Sequence, residues 1–196
     1  MTLIAKLKPI LVALLFGVSI AHAEVKTFRI FGTVDQSLPM ALVGSKVTGT
    51  FSYDTSTAPL YTIGEASGSG YGQSSYFIQA KFELKVNAHT ISSDAFYVEV
   101  VNNGGGNVED LISVTGNPMT VNGTFFREGL FGFQLATRPG KKHVLRSTEL
   151  PSKLIVQQFD ADASQNYGWV MTDGSGNGTL VSFKIDRIMH NPSGND

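Results

Sequence analysis

One short stretch of this sequence places oxygen-bearing side chains at alternate positions. Asp173, Ser175 and Asn177 occupy positions 1, 3 and 5 of a run that has Gly178 at position 6. Calcium needs oxygen ligands that converge at ~2.3–2.6 Å, and alternation around a tight turn can supply them. Position 12 is Lys184 instead of the glutamate that closes such a loop. The run therefore predicts either a Ca²⁺ site built on the first three residues or an ordinary turn.

A second candidate site is aromatic. Trp169, the only tryptophan of the chain, follows Tyr167 by two residues, and Tyr71 lies within a long glycine-rich stretch. Flat aromatic rings can pack on the faces of pyranose rings, and Trp and Tyr add a polar edge that forms hydrogen bonds. These three residues are the candidate ligand-binding residues for a carbohydrate. The alternative is that Tyr167, Trp169 and Met171 alternate into the hydrophobic core.

The sequence identifies no catalytic residues. Beyond the N-terminal 23 residues, the neutral-pH bases are His89, His143 and His190, and none belongs to a His-x-x-x-His pair. We expect His89 and His190 to be surface residues. Glu109 and Asp110 are adjacent, so they would point to opposite faces of a strand and make a poor acid–base pair. A protein without enzymatic activity is the favoured interpretation, and a dyad formed by distant carboxylates stays open.

The elements that carry these residues alternate between apolar and polar with a period of two. The clearest segment is residues 76–88, and glycine-rich turns such as 102–107 and 173–178 separate the segments. The pattern predicts an all-β protein, an antiparallel β-sandwich (jelly-roll-like) of about ten strands. The predicted strands cover residues 25–34, 47–53, 76–88, 96–101, 111–114, 119–126, 130–137, 154–159, 167–171 and 179–189.

The N-terminus follows the plan of a secretory signal peptide. Lys6 and Lys8 precede an apolar stretch, and the small residues Ala21 and Ala23 flank His22 as in a cleavage site. We predict a signal peptide over residues 1–23 and a single β-sandwich domain over 24–196. The apolar stretch is too short to cross a hydrocarbon core of ~30 Å. The mature chain is therefore expected to have no membrane span and to be periplasmic or extracellular.

Charge and cysteine content exclude several classes of function. Lys and Arg total 15 against 16 Asp and Glu, so the chain lacks the basic excess that nucleic-acid binding requires. The absence of cysteine excludes disulfides, thiolate catalysis and Cys-ligated metal centres. An exported chain without cysteine favours a bacterial source.

Three segments together resemble a known class of exported proteins. They are Phe28-Arg-Ile-Phe-Gly-Thr-Val34, then Val43-Gly-Ser-Lys-Val-Thr-Gly-Thr-Phe-Ser-Tyr-Asp54, then residues 145–159 with Leu150-Pro151 inside. Their order resembles that in exported bacterial β-sandwich proteins of the uncharacterised PEP-CTERM-associated type. The sorting tail of that class, with its Pro-Glu-Pro triplet, is not part of the resemblance. The resemblance implies an envelope or matrix setting and assigns no catalytic residue.

These observations predict an exported, non-catalytic binding or structural protein of the cell envelope or extracellular matrix. A polysaccharide or an envelope protein is the expected partner, and no cofactor is required unless the candidate loop binds Ca²⁺. The alternatives are a secreted hydrolase that acts on an extracellular polymer and a calcium-dependent adhesion module.

Overall fold

The computed structural model describes residues 24–64, 70–104, 109–138, 144–159, 166–173 and 178–191. The predicted signal peptide, with Ala21 and Ala23, lies outside the described residues, as do Ser175 and Asn177 of the candidate calcium loop. Within the described ranges, no helix is both long and apolar enough to cross a membrane.

The described chain folds almost entirely into strands, which confirms the all-β prediction. The thirteen strands are β1 (Val25–Val34), β2 (Lys46–Asp54), β3 (Tyr61–Gly64), β4 (Gly72–Ile78), β5 (Phe82–Val86), β6 (His89–Ser93), β7 (Phe96–Asn102), β8 (Leu111–Gly116), β9 (Met119–Val121), β10 (Thr124–Phe126), β11 (Leu130–Ala136), β12 (Tyr167–Met171) and β13 (Thr179–Asn191). A single 3₁₀ turn covers Val156–Gln158. The strands are shorter and more numerous than the ten predicted.

All thirteen strands belong to one antiparallel sheet. Their order across the sheet is β10-β9-β6-β5-β2-β1-β13-β12-β11-β8-β7-β4-β3. The antiparallel arrangement is confirmed, whereas the two separate sheets of a jelly-roll-like sandwich are not found among the described strands. We call the six strands β10, β9, β6, β5, β2 and β1 the first arm, and the six strands β12, β11, β8, β7, β4 and β3 the second arm. β13 joins the two arms, because it pairs with β1 on one side and with β12 on the other.

The sheet folds over so that its two arms pack face to face. The ring centroids of Phe51 in β2 and Phe133 in β11 are 5.5 Å apart, although three strands lie between them in the sheet. Phe82 in β5 and Phe96 in β7 are 5.8 Å apart across seven strand spacings. In a flat sheet, seven spacings would separate these residues by ~34 Å. One face of the sheet is therefore the inside of the fold.

The inner face holds the hydrophobic core. Alternate residues of each strand point inward, so β2 has the burial pattern expected of a strand with one wet face. The largest side chains that are fully buried include seven phenylalanines, Phe28, Phe51, Phe82, Phe96, Phe131, Phe133 and Phe183.

Two very short connections cross between the arms. Asp94 and Ala95 link β6 of the first arm to β7 of the second, and Asn117 and Pro118 link β8 to β9 across a cis peptide bond. A connection of two residues spans only ~10 Å, which equals the spacing of packed sheet faces. The connections therefore fit arms in direct contact.

Residues 144–159, the cover segment, close one end of the core. Its Leu150, Leu154 and Phe159 are buried. The hydroxyl of Tyr53 donates to the carbonyl oxygen of Pro151 at 2.6 Å, and the hydroxyl of Tyr76 donates to the carbonyl oxygen of Thr148 at 2.6 Å. The strand predicted over residues 154–159 is wrong, because these residues form no strand and contain the 3₁₀ turn Val156–Gln158.

Tyr53 makes the stability of the protein sensitive to alkaline pH. Burial raises the pKa of Tyr53 far above its ordinary value, so above about pH 10 the unfolded chain loses a proton that the folded chain keeps. We expect the contribution of Tyr53 to the free energy of unfolding to be complete below pH 10. Above pH 10 it should fall by up to about 1.4 kcal/mol per pH unit. Urea unfolding of Tyr53→Phe between pH 9 and 11.5 should show a shallower decline than wild type. Equal slopes would contradict this role.

Candidate functional site

The outer face of the second arm presents a row of aromatic side chains. In an antiparallel ladder, directly paired residues point to the same face. The pairs between neighbouring strands therefore align Phe77, Tyr97, Thr115, Gly132, Trp169 and Ser182 in one row from β4 to β13. Tyr97 is 43% exposed, although β7 lies well inside the sheet. This row is accessible from solvent at its aromatic positions.

The aromatic residues form two pairs with a gap between them. Phe77 and Tyr97 have ring centroids 5.2 Å apart, and Tyr167 and Trp169 have centroids 5.4 Å apart. Tyr97 and Trp169 are separated by three strand spacings, or ~14 Å. Between the two pairs lie Thr115, which is partly exposed, and Gly132, which has no side chain and is buried. Two aromatic pairs, the platforms, therefore lie on either side of a strip that carries one small side chain.

A parallel row of polar side chains runs beside the aromatic row. It aligns Ser75, Glu99, Ser113 and Gln134, with Tyr61 at one end and Tyr167 at the other. We call the two rows together the aromatic face. Hydroxyl, carboxylate and amide groups therefore lie next to the rings, where they can bond to the hydroxyl groups of a ligand.

Glu99 is held by a chain of hydrogen bonds. The hydroxyl of Tyr71 donates to Oε1 of Gln73 at 2.6 Å, and Nε2 of Gln73 donates to Oε1 of Glu99 at 2.5 Å. Gln73 of β4 therefore holds the carboxylate of Glu99, which lies on the same face of β7 as Tyr97. Tyr71 therefore contributes to the face through Gln73 and Glu99.

Trp169 carries an unsatisfied hydrogen-bond donor. Its Nε1 is buried and has no partner among the described residues, although the residue as a whole is partly exposed. A buried N–H without an acceptor costs about 1–3 kcal/mol. Because this N–H is closed off from solvent, a ligand that lies on the surface does not reach it in this structure.

The three predicted ligand-binding residues lie on the outer surface of the second arm. In β12, Gly168 and Val170 point into the core, so Tyr167 and Trp169 face outward. The alternative in which Tyr167, Trp169 and Met171 alternate into the core is wrong. Tyr71 precedes β4, four strands away from β12, so it does not join the other two in one cluster. Tyr97 and Glu99 were missed because sequence does not reveal which strands are neighbours.

The calcium hypothesis stays a prediction. Asp173 lies after β12, whereas Ser175 and Asn177 fall outside the described residues. Among the residues that the structure describes, no group of three or more His, Asp, Glu or Cys side chains could hold a metal ion.

Three of the residues considered for catalysis, His89, His190 and Asp110, contact other parts of the fold. His89 begins β6, and its Nδ1 lies 3.0 Å from Nδ2 of Asn122. His89 and His190 are both partly exposed, although the ring of His190 packs on that of Phe28 with centroids 5.9 Å apart and its Nε2 is buried. Asp110 is fully buried and accepts hydrogen bonds from backbone N–H groups of the cover segment.

No protein-family model, curated protein or solved structure matches this chain. The side chains of the fold are therefore the basis for inferring a function.

Proposed function

We propose that this is an exported, non-catalytic protein that binds a polysaccharide on its aromatic face. The observation that supports the proposal is the register that aligns Tyr97 and Trp169 in one row across Thr115 and Gly132. Rings at both ends can pack against sugar faces, and Glu99 and Gln134 can bond to sugar hydroxyls. A single sugar ring is too small to reach both platforms, so the ligand is an extended chain.

The shape and charge of the aromatic face favour binding over hydrolysis. The two rows contain a single carboxylate, that of Glu99, whereas most glycosidases use two carboxyl groups on either side of the scissile bond. The face is also the surface of a sheet, which suits a polymer that lies along it. A hydrolase remains the alternative that the experiment below separates from a binding protein.

The setting of this activity follows from the N-terminal sequence. The predicted signal peptide over residues 1–23 supports export to the periplasm or beyond. The resemblance to exported bacterial proteins of the PEP-CTERM-associated type supports an envelope or matrix setting. A binder of extracellular polysaccharide fits both.

The test is binding of the protein secreted from the full chain, expected to begin at Glu24, to a panel of bacterial and plant polysaccharides. We expect Trp169→Ala to weaken binding at least tenfold, since it removes one platform, and Tyr97→Ala to weaken it several-fold. A tenfold change corresponds to about 1.4 kcal/mol. Affinity electrophoresis or calorimetry gives the dissociation constants, and circular dichroism confirms folding.

Phe125→Ala is the matched control, because Phe125 is an exposed aromatic residue of β10 in the first arm. It should bind as wild type does. Equal affinities of wild type, Trp169→Ala and Tyr97→Ala for the neutral polysaccharides of the panel, or no binding to any neutral polysaccharide, would refute the proposal. Binding lost on chelation would instead support the calcium-dependent adhesion module, and release of reducing ends would support the hydrolase.

A further inference from the structure

The outer face of the first arm differs in chemistry from the aromatic face. Strand register aligns Arg187, Phe31, Thr48 and Lys85 in one row and Arg29, Thr50 and Glu83 in the next. Lys184, Thr33 and Lys46 form a third row. We call these three rows the basic face. It carries hydroxyl and cationic groups where the aromatic face carries rings.

Cations outnumber acids on this part of the sheet. The acids at the outward positions of β1, β2, β5 and β13 are Asp54, Glu83 and Asp186. Five cations lie at the same positions, namely Arg29, Lys46, Lys85, Lys184 and Arg187. The whole chain has a formal net charge of −1. The positive charge is therefore concentrated locally.

The acids of this region already have partners. Glu83 pairs with Nζ of Lys81 at 2.7 Å and of Lys85 at 3.2 Å. Asp186 accepts a hydrogen bond from the hydroxyl of Thr33 at 2.7 Å. Asp54, at the far end of β2, accepts from the backbone N–H and the hydroxyl of Ser56.

The two arginines keep their donors available. Arg29 is exposed and forms no ion pair with any described residue. The guanidinium carbon of Arg187 lies 4.3 Å from the ring centroid of Phe31. This cation–π contact orients the group without using its N–H donors. A guanidinium group presents its donors in a planar fork that matches a carboxylate.

A shallow depression lies between these rows. Its volume is about 250 Å³, and Arg29, Phe31, Thr48, Thr50, Glu83 and Lys85 line it. The hydroxyls of Thr48 and Thr50 are exposed at its floor. A ligand with both hydroxyl and carboxylate groups is complementary to this lining.

We propose that the basic face is a second binding surface, which takes a linear polymer of uronic acid residues. The sugar carboxylates would pair with Arg29 and Arg187, and the sugar hydroxyls would bond to Thr48 and Thr50. Several cations spread over adjacent strands suit a chain that carries a carboxylate on each unit. This inference uses residues outside the aromatic face and does not rest on the function proposed for that face.

The chemistry of the face favours a polyuronate over other polyanions. Single-stranded nucleic acid calls for free aromatic rings on which bases stack, whereas Phe31, the aromatic residue of these three rows, already packs against Arg187. An anionic membrane calls for apolar side chains that enter it. The apolar side chains among these cations are Phe31 and Met189, which pairs with Arg29, and the centre of the face carries Thr48 and Thr50. Nucleic acid and membrane are therefore outcomes of the test that would overturn the proposal.

The test measures binding of polygalacturonate to the secreted protein at several NaCl concentrations, with fully methyl-esterified polygalacturonate as the neutral match. We expect the acid form to bind, the ester not to bind, and affinity to fall as NaCl rises. The double variant Arg29→Gln/Arg187→Gln should lose at least tenfold in affinity. The double variant Arg127→Gln/Lys153→Gln changes two exposed residues outside this face and provides the same loss of two positive charges as a control.

Three results would overturn the proposal. They are equal binding of acid and ester, equal affinity of Arg29→Gln/Arg187→Gln and the control Arg127→Gln/Lys153→Gln, and binding to DNA or phosphatidylglycerol vesicles without binding to polygalacturonate. Arg29→Lys, which keeps the charge, should retain most of the affinity. Trp169→Ala should leave polygalacturonate binding unchanged, so failure here and failure of the aromatic face remain distinguishable.

Discussion

Replacing Phe51 by alanine is expected to destabilise the protein by about 3–5 kcal/mol, the cost of removing a large aromatic side chain from a packed core. The Phe51 ring is 1% exposed. It contacts rings from four other strands, those of Phe28, Phe82, Phe96 and Phe133. Two of these strands belong to each arm. Alanine would therefore leave a cavity at the contact between the two arms.

Urea unfolding followed by Trp169 fluorescence measures this effect. Phe125→Ala makes the same chemical change at a side chain that is 62% exposed. It is expected to change the free energy of unfolding by no more than about 0.5 kcal/mol. A loss of under 1 kcal/mol for Phe51→Ala would mean that the two arms do not depend on this contact.

Replacing Asp110 by alanine is expected to cost about 3 kcal/mol and to release the cover segment. Asp110 is fully buried. Its Oδ2 accepts hydrogen bonds from the backbone N–H groups of Val144 at 2.6 Å and Leu145 at 2.9 Å, and its Oδ1 accepts from the N–H of Asn103 at 3.2 Å. Alanine would leave these part-buried donors without this acceptor.

Limited proteolysis with mass spectrometry separates this local effect from general loss of stability. We expect cleavage within residues 144–159 to become faster in Asp110→Ala under conditions where the sheet stays intact. Asp94→Ala, which removes an exposed carboxylate from the β6–β7 connection, should be cleaved as wild type is. Unchanged cleavage of the cover segment in Asp110→Ala would contradict an anchoring role for the carboxylate.

Alternation along the chain predicts which residues face the core, and it fails where the chain changes partners. The predicted strand over residues 76–88 is two strands, β4 and β5, on different arms. The apolar alternation continues through Gln79, Ala80 and Lys81 because both strands contribute to the same core. The periodicity of a sequence reports which face of a strand is buried and does not report which strands lie beside it. The passage of the chain from β4 in the second arm to β5 in the first therefore leaves no mark on the pattern.

The same limit applies to the candidate site. Sequence identified Tyr167 and Trp169 as a pair on one face of a strand without indicating which face that was. Gly168 decides the question, because a Cβ atom at this position would lie 2.1 Å from the ring of Phe183. The partners Tyr97 and Glu99 come from a strand about 70 residues earlier, and only the long-range order of the sheet brings them alongside.

The position of β13 has a consequence for how the chain reaches its folded state. β13 is the last described strand and pairs with β1, the first, so that Phe28 lies opposite His190. Closing so long a loop is slow, because the entropy of closure must be overcome before the contact forms. Until β13 arrives, β1 and β12 both present unpaired edges that can add a strand from another molecule. During synthesis the exposure to aggregation is therefore greatest just before β13 emerges.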